Sequence, residues 1–180
     1  MATYISILRG INVSGQKLIK MDDLKKVYEN LNLVDIQTYL QSGNVIFSTK
    51  ESDLRNLETK IKTQIEKDFG FEVPIIVLNI ETLADIIKHN PFANDNRHDI
   101  SCLHVTFLAE QPKEIDKKSI EVKKQEGEKI EFAQNAIYLY CPNGYGKTKL
   151  HNTFLESKLK VNATTRNWKT VNELLKLVTK

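Results

Sequence analysis

The turn at residues 41–44 constrains the fold of this chain more than any other sequence feature. Its sequence, Gln-Ser-Gly-Asn, separates the apolar run 36–40 from the apolar run 45–48. A short glycine-containing link between two such runs is typical of a β-hairpin. The sequence therefore predicts two adjacent antiparallel strands, and a third strand precedes them at residues 3–8.

Helical periodicity fills the gaps between these strands. Apolar side chains recur on one face of residues 21–31, and they recur every three or four positions in residues 54–69 until Gly70 ends the pattern. A further apolar run follows at residues 73–78. The order βαββαβ predicts a ferredoxin-like sheet with both helices on one face. The side chains expected between the second helix and the sheet are Leu54, Leu57, Ile61 and Ile65.

The second half of the chain repeats this order. Its predicted elements are a helix at 81–88, a strand at 103–108, a helix at 113–124, a hairpin of 129–133 with 136–140, and helices at 152–159 and 166–179. Both halves share the order βαββα, which indicates an internal duplication. We therefore predict an α+β fold of two ferredoxin-like (βαββα) halves, residues 1–80 and 81–180, forming one compact unit with a C-terminal helix.

Length and composition describe an ordinary globular protein. The chain has 180 residues, of which 41% are hydrophobic and 27% are charged, so a core can form without disulfides or metals. No apolar segment is long enough for a signal peptide or a membrane span. Cys102 and Cys141 lack Cys-x-x-Cys spacing, so we interpret them as buried thiols of a reducing compartment. These features predict a cytoplasmic protein with no membrane association.

Positive charge is concentrated at the two ends of the sequence. Residues 1–20 contain three basic residues and no acidic one, and residues 142–180 contain eight basic residues against two acidic ones, a net charge of +6. The whole chain carries only +3, so the middle is acidic. Such asymmetry favours an anionic partner at the basic ends, although a charged surface that serves solubility has the same signature.

Two segments approach the phosphate-loop pattern without matching it. Residues 10–17 have the Gly-x-x-x-x-Gly frame, but Gln16 replaces the lysine and no hydroxyl residue follows. Residues 141–148 end in Gly-Lys-Thr, yet the preceding strand is predicted to lie in an antiparallel hairpin, whereas a phosphate loop follows a parallel strand. We interpret the second segment as a glycine-rich turn whose Lys147 and Lys149 can attract an anion.

Residues 163–168 combine two threonines, a guanidinium, an amide and the single tryptophan at the predicted start of the last helix. Helix N-termini bind anions through unpaired amides, and arginine adds a bidentate donor. The alternative interpretation is structural, with Thr165 capping the helix and Trp168 anchoring it.

The four histidines do not indicate a metal or a catalytic triad. His89, His98, His104 and His151 have no metal-ligand spacing, and none belongs to a serine or cysteine nucleophile motif. The lysine-rich stretch 113–131 contains as many acidic residues as lysines, so it is interpreted as a solvated surface. We predict no metal and no cofactor.

Five ordered motifs are similar to a known family. They are LRGINV at 8–13, YLQSGNV at 39–45, HVTFL at 104–108, YLYCP at 138–142 and ATTRNW at 163–168. Together they resemble the bacterial family called domain of unknown function 1697. The resemblance implies a cytosolic protein with a duplicated α/β fold, and it implies no activity.

The leading functional hypothesis is a domain that binds a small phosphorylated or nucleotide-like anion through loops held by a rigid scaffold. No general base can be named, so whether the protein is an enzyme stays open, as does its oligomeric state. The alternatives are an RNA-binding module of RRM-like shape, with Tyr4, Tyr39 and Phe47 as stacking groups, and a structural or protein-interaction domain. The predicted ligand-binding residues, expected to share one cleft, are Arg9, Asn12, Asn44, Lys147, Lys149, Arg166 and Asn167.

Overall fold

The computed structural model describes all residues from 1 to 180, and they form two compact units. Unit 1 contains residues 1–83 with residues 174–180, and unit 2 contains residues 84–173. Each unit is built on one four-stranded antiparallel sheet, and the chain has six α-helices. The predicted α+β class is confirmed. None of these helices combines the length and apolar character that crossing a bilayer requires.

Unit 1 has the predicted order of elements. They are β1 Ala2–Leu8, α1 Met21–Asn30, β2 Val34–Tyr39, β3 Asn44–Thr49, α2 Leu54–Phe69 and β4 Ile75–Asn79. The strands lie in the order β2-β3-β1-β4, which is the ferredoxin-like order. The next helix, α3 Ile80–Lys88, crosses the boundary between the two units.

The ends of α2 are fixed by local chemistry. The Asp53 carboxylate accepts the backbone N–H of Asn56 and so caps the first turn. Gly70 ends the helix in the left-handed conformation, at φ 78°, and its N–H bonds the Glu66 carbonyl. Of the side chains predicted to be buried under this helix, Leu57, Ile61 and Ile65 are buried. Leu54, in the first turn, is only partly buried.

Both faces of the unit 1 sheet are buried at β1, β3 and β4, whereas the edge strand β2 is exposed or partly exposed. Side chains alternate along each strand, so Tyr4 and Phe47 lie on the face covered by α1 and α2. On the opposite face Ile5, Ile46 and Ile76 are also buried. Each fully buried side chain of this size stabilises the fold by about 1.5–3 kcal/mol relative to an exposed one.

Unit 2 repeats the sheet of unit 1 with one more strand than the sequence predicts. Its elements are β5 Leu103–Leu108, α4 Lys117–Glu121, β6 Lys129–Phe132, β7 Ala136–Tyr140, α5 Asn152–Leu159, β8 Ala163–Asn167 and the start of α6 Trp168–Val178. The strand order β6-β7-β5-β8 matches that of unit 1 position for position. The two sheets therefore support the predicted duplication.

The extra strand corrects the predicted start of the last helix. The sequence predicts a helix from residue 166, but residues 163–167 form β8, which pairs antiparallel with β5 from Leu108↔Ala163 to His104↔Asn167. The two adjacent threonines favour extended backbone because their β-carbons are branched. The helix begins only at Trp168.

The helix predicted at 113–124 is also shorter, covering only Lys117–Glu121. Its single buried side chain is Ile120, so most of the predicted length has no apolar face to dock on the sheet. β6 and β7 form the predicted antiparallel hairpin, and β7 also pairs antiparallel with β5.

Candidate functional site

The predicted ligand-binding residues divide between the two units. Arg9, Asn12 and Asn44 belong to unit 1. The remaining four belong to unit 2, and they are Lys147, Lys149, Arg166 and Asn167. The expectation that all seven share one cleft therefore stays a prediction, and each group is described by itself.

In unit 1, Asn12 holds a loop together. Its Nδ2 group donates to the carbonyls of Ile19 at 2.9 Å and Gln41 at 2.8 Å, and its Oδ1 accepts the N–H of Ile19 at 2.8 Å. The backbone of Asn12 has φ 55°, a left-handed conformation that asparagine tolerates better than most residues. Both amide donors are engaged, so Asn12 positions the loop against the hairpin turn.

Asn44 and Arg9 lie at the same end of the unit 1 sheet. Asn44 is fully buried, and its Nδ2 group donates to the Tyr39 carbonyl at 2.7 Å and to Ser42 Oγ at 3.2 Å. The backbone N–H of Arg9 donates to the Pro74 carbonyl at 3.0 Å. Asn44 thus orders the turn of the β2–β3 hairpin, while Arg9 keeps a partly exposed side chain.

The glycine-rich segment 141–148 of unit 2 is not a phosphate loop. It follows β7, which pairs antiparallel with both β5 and β6, whereas a phosphate loop follows a parallel strand. Residues Tyr145–Lys147 form a single 3₁₀ turn rather than the first turn of a helix. The segment therefore acts as a turn, as its antiparallel context predicted.

Tyr145 attaches this turn to the end of the sheet. Its ring stacks on His104 of β5, with centroids 4.7 Å apart and planes inclined by 22°. The Tyr145 hydroxyl accepts the backbone N–H of Asn152 at 3.0 Å, which closes residues 145–152 into a loop. Burial lowers the pKa of His104, so its imidazole is neutral at neutral pH.

A chain of side-chain hydrogen bonds fixes this loop to β8. Asn152 donates from Nδ2 to the Ala163 carbonyl at 2.8 Å and accepts from Thr165 Oγ1 at 3.1 Å. Because the Thr165 hydroxyl donates there, it accepts from Thr106 Oγ1, 2.8 Å away on the neighbouring strand. The loop that carries Lys147 and Lys149 is therefore held beside the strand that carries Arg166.

The sequence predicts Arg166 at the N-terminus of the last helix, but it lies inside the strand β8. It pairs with Val105 across the sheet and is only 9% exposed. Its Nη1 donates to Thr164 Oγ1 at 3.1 Å and to the Thr165 carbonyl at 3.0 Å. Burial lowers the pKa of Arg166 to about 10 while the nearby Tyr145 opposes this, so the guanidinium stays charged at neutral pH.

The last helix is capped by Asn167, whereas the structural interpretation of the sequence predicts Thr165 as the cap. Its Oδ1 accepts the backbone N–H of Thr170 at 2.8 Å. Lys147, Lys149 and Asn167 are all exposed. We call the group made of Lys147, Lys149, Arg166 and Asn167, which belong to the loop after β7 and to the adjoining strand β8, the basic corner of unit 2.

A groove elsewhere in unit 2 has balanced charge. It is a groove of about 650 Å³ between the segment that leads into α4 and the end of α5. None of the predicted ligand-binding residues lines it. Its charged lining consists of Glu110, Lys113, Glu114, Asp116, Lys158 and Lys160. Three carboxylates opposite three ammonium groups give this groove no preference for an anion.

A polar cluster in unit 2 was missed by sequence reasoning. His98 has a side chain that is 5% exposed, and its ring lies against Tyr140 at 4.6 Å and Phe92 at 5.6 Å. Its Nε2 accepts from Lys129 Nζ at 2.8 Å, and its Nδ1 lies 3.6 Å from Asp95 Oδ2. The histidine and the lysine are separated by 31 positions, and no local motif links them. No group of three possible metal ligands occurs in the chain.

These features define an α+β protein of two ferredoxin-like units. Residues 1–138 match the family model described as protein of unknown function (DUF1697), and the chain belongs to this family. The chain is also similar to the solved structure of a conserved bacterial protein from Streptococcus pneumoniae, with TM-score 0.75, 23% identity and 98% coverage of both chains. At that identity the similarity establishes the fold alone. A comparison with curated proteins gives no match.

Proposed function

We propose that this protein binds a small anionic molecule, phosphorylated or nucleotide-like, at the basic corner of unit 2. The observation that carries the proposal is the attachment of the lysine-bearing loop beside the strand that carries the buried charge of Arg166. The loop is closed by the Tyr145–Asn152 bond and tied to β8 through Asn152 and Thr165.

The local charge supports an anion at this corner. Residues 142–155 contain Lys147 and Lys149 and no acidic residue. Arg166, which is 9% exposed, adds a positive charge that is weakly screened by solvent because it lies in a low-dielectric environment. An anion that approaches the exposed lysines meets two positive charges directly, and the charge of Arg166 on the neighbouring strand adds to the positive potential of the unit. The loop backbone and the Arg166 guanidinium are held by hydrogen bonds, so they need little rearrangement when a ligand binds.

The same geometry favours a small molecule over RNA. An RRM binds RNA by stacking bases on aromatic side chains of an open sheet face. In unit 1 the candidate rings of Tyr4 and Phe47 are 6% and 0% exposed, and only Tyr39, on the edge strand β2, is partly exposed. Two exposed lysines also neutralise far fewer phosphates than the 6–10 or so contacts of a nucleic-acid site.

The test is calorimetry and thermal unfolding of the intact chain with pyrophosphate, a nucleoside monophosphate, a sugar phosphate and a short RNA. We expect one of the small phosphates to bind, and a ligand at about 100 times its dissociation constant should add about 2.7 kcal/mol to the free energy of unfolding. The double variant Lys147→Ala/Lys149→Ala should weaken this binding at least tenfold.

The matched control is Lys123→Ala/Lys124→Ala, which removes the same charge from two exposed lysines of the same unit. Equal weakening by both double variants would show a response to net charge and contradict a site at the basic corner. Binding of RNA alone, with affinity falling steeply as salt rises, would favour the RNA-binding alternative.

A further inference from the structure

Cys102 and Cys141 are neighbours across two paired strands. The register of β5 and β7 ends with Leu103 opposite Tyr140, so the next residues outward are Cys102 and Cys141. The backbone N–H of Cys141 donates to the Cys102 carbonyl at 2.9 Å. Residues that lie opposite each other on antiparallel strands have Cα atoms about 4.5–5.5 Å apart, inside the range of about 4.4–6.8 Å that a disulfide spans.

We propose that Cys102 and Cys141 form a reversible disulfide within the chain. Both thiols are free in the structure. The sequence gives no sign of this pair, because the two cysteines are separated by the α4 segment and the β6–β7 hairpin. The proposal stands on the strand register and does not depend on the proposed anion site.

The environments of the two thiols assign them different roles. Cys102 is partly exposed, whereas Cys141 is 1% exposed. Burial raises the pKa of the Cys141 thiol to about 12, and the charges of Glu128 and Cys102 act in the same direction, opposed by a hydrogen bond from Thr148. Cys102 is therefore the thiol that a soluble disulfide reaches first, and Cys141 is the thiol that resolves the adduct.

The reaction with a low-molecular-weight disulfide such as oxidised glutathione has two exchange steps. The Cys102 thiolate attacks one glutathione sulfur, which breaks the glutathione disulfide and releases one glutathione thiolate. The Cys141 sulfur then loses its proton and attacks the Cys102 sulfur, releasing the second glutathione. Overall the two protein thiols are oxidised, one glutathione disulfide is reduced, and the two protein thiol protons pass to the two glutathione products.

The raised pKa of Cys141 makes the second step slow at neutral pH. As long as the pH is below this pKa, each increase of one pH unit raises the thiolate fraction of Cys141 about tenfold, and the rate of resolution should rise with it. At neutral pH the glutathione adduct on Cys102 should therefore accumulate. At alkaline pH it should convert to the internal disulfide.

The test incubates the intact protein with oxidised glutathione at neutral and alkaline pH. The intact mass should first increase by one glutathionyl group and then fall to two hydrogen atoms below the mass of the untreated protein. A peptide map without reductant should show the peptides of Cys102 and Cys141 joined by a disulfide. Dithiothreitol should reverse the change. Cys102→Ser should give no adduct, and Cys141→Ser should stop at the adduct.

Two results would overturn the proposal, and both are read on the wild-type chain, so they hold even if Cys141→Ser does not fold. One is an adduct on Cys102 that persists at alkaline pH. The other is a disulfide found only between two copies of the chain.

Discussion

Gly43, in the turn of the β2–β3 hairpin, provides the sharpest test of the packing of unit 1. Its backbone has φ +82°, and a β-carbon placed there would lie 2.6 Å from Ile11 Cδ1 and 2.9 Å from Leu8 Cβ. Gly43→Ala therefore carries two costs. The left-handed conformation costs about 1–2 kcal/mol for a residue with a β-carbon, and forcing atoms into a packed site costs about 1–3 kcal/mol more. We expect a loss of about 2–5 kcal/mol.

Gly70→Ala is the matched control, because Gly70 has φ +78° and nothing within 4 Å of the position of its β-carbon. It should show only the conformational cost of about 1–2 kcal/mol. The difference between the two variants measures the contact with Ile11 and Leu8. Chemical denaturation should be followed by circular dichroism, since the single tryptophan, Trp168, lies in unit 2 and does not report on this turn.

A double-mutant cycle with Ile11→Val identifies the contact. In the wild-type background this change should cost about 0.5–1.5 kcal/mol, as shortening a buried isoleucine usually does. In the Gly43→Ala background it removes the Cδ1 atom that collides, so it should cost less or stabilise the fold. Equal losses for Gly43→Ala and Gly70→Ala, or strict additivity in the cycle, would refute the packing argument.

Three further substitutions test other contacts. Burial raises the pKa of Glu58, so the folded state favours its protonated form. The wild-type protein therefore loses stability as the pH rises above about 4.5, where the unfolded chain ionises this group. Glu58→Gln has no such loss, so its free energy of unfolding in urea should rise relative to that of wild type between about pH 4 and 7. A constant difference across that range would contradict this. Tyr138→Phe removes a buried hydrogen bond of 2.8 Å to the Ile86 carbonyl and should lower the free energy of unfolding by about 1–3 kcal/mol. An unchanged free energy of unfolding would show that this bond does not stabilise the fold. Asp53→Ala removes the cap of α2 and should cost about 0.5–2 kcal/mol by the same assay, with Asp53→Asn close to wild type.

The sequence predicts the apolar strands and helices of this fold well. Residues 3–8, 45–48 and 103–108 contain apolar or β-branched side chains in runs of strand length, and they lie in β1, β3 and β5. The helix at residues 54–69 is predicted to the residue because its apolar stripe ends at a glycine. For these strands and for this helix, the apolar side chains that predict the element are also the ones buried in the core.

The strand β8 could not be predicted in the same way. Its residues 163–167 are mostly polar, and the burial of Arg166 comes from pairing with β5, a contact between residues about 60 positions apart. The role of Asn12 is hidden for a related reason, since one of its partners, Gln41, lies 29 positions away. Local periodicity reports on apolar faces and carries no information about such long-range polar contacts.

Glu58, a residue of α2, forms a hydrogen bond with the edge strand of the unit 1 sheet, and this bond bears on self-association. Its Oε1 accepts the backbone N–H of Val77 at 2.9 Å, and Val77 belongs to the edge strand β4. An edge strand with unpaired N–H groups is a template on which a strand of another chain can add. By occupying this donor with a carboxylate, the helix removes one point of attachment and places a negative charge beside it. Glu58 thus leaves one fewer backbone donor on this edge for a strand of another chain.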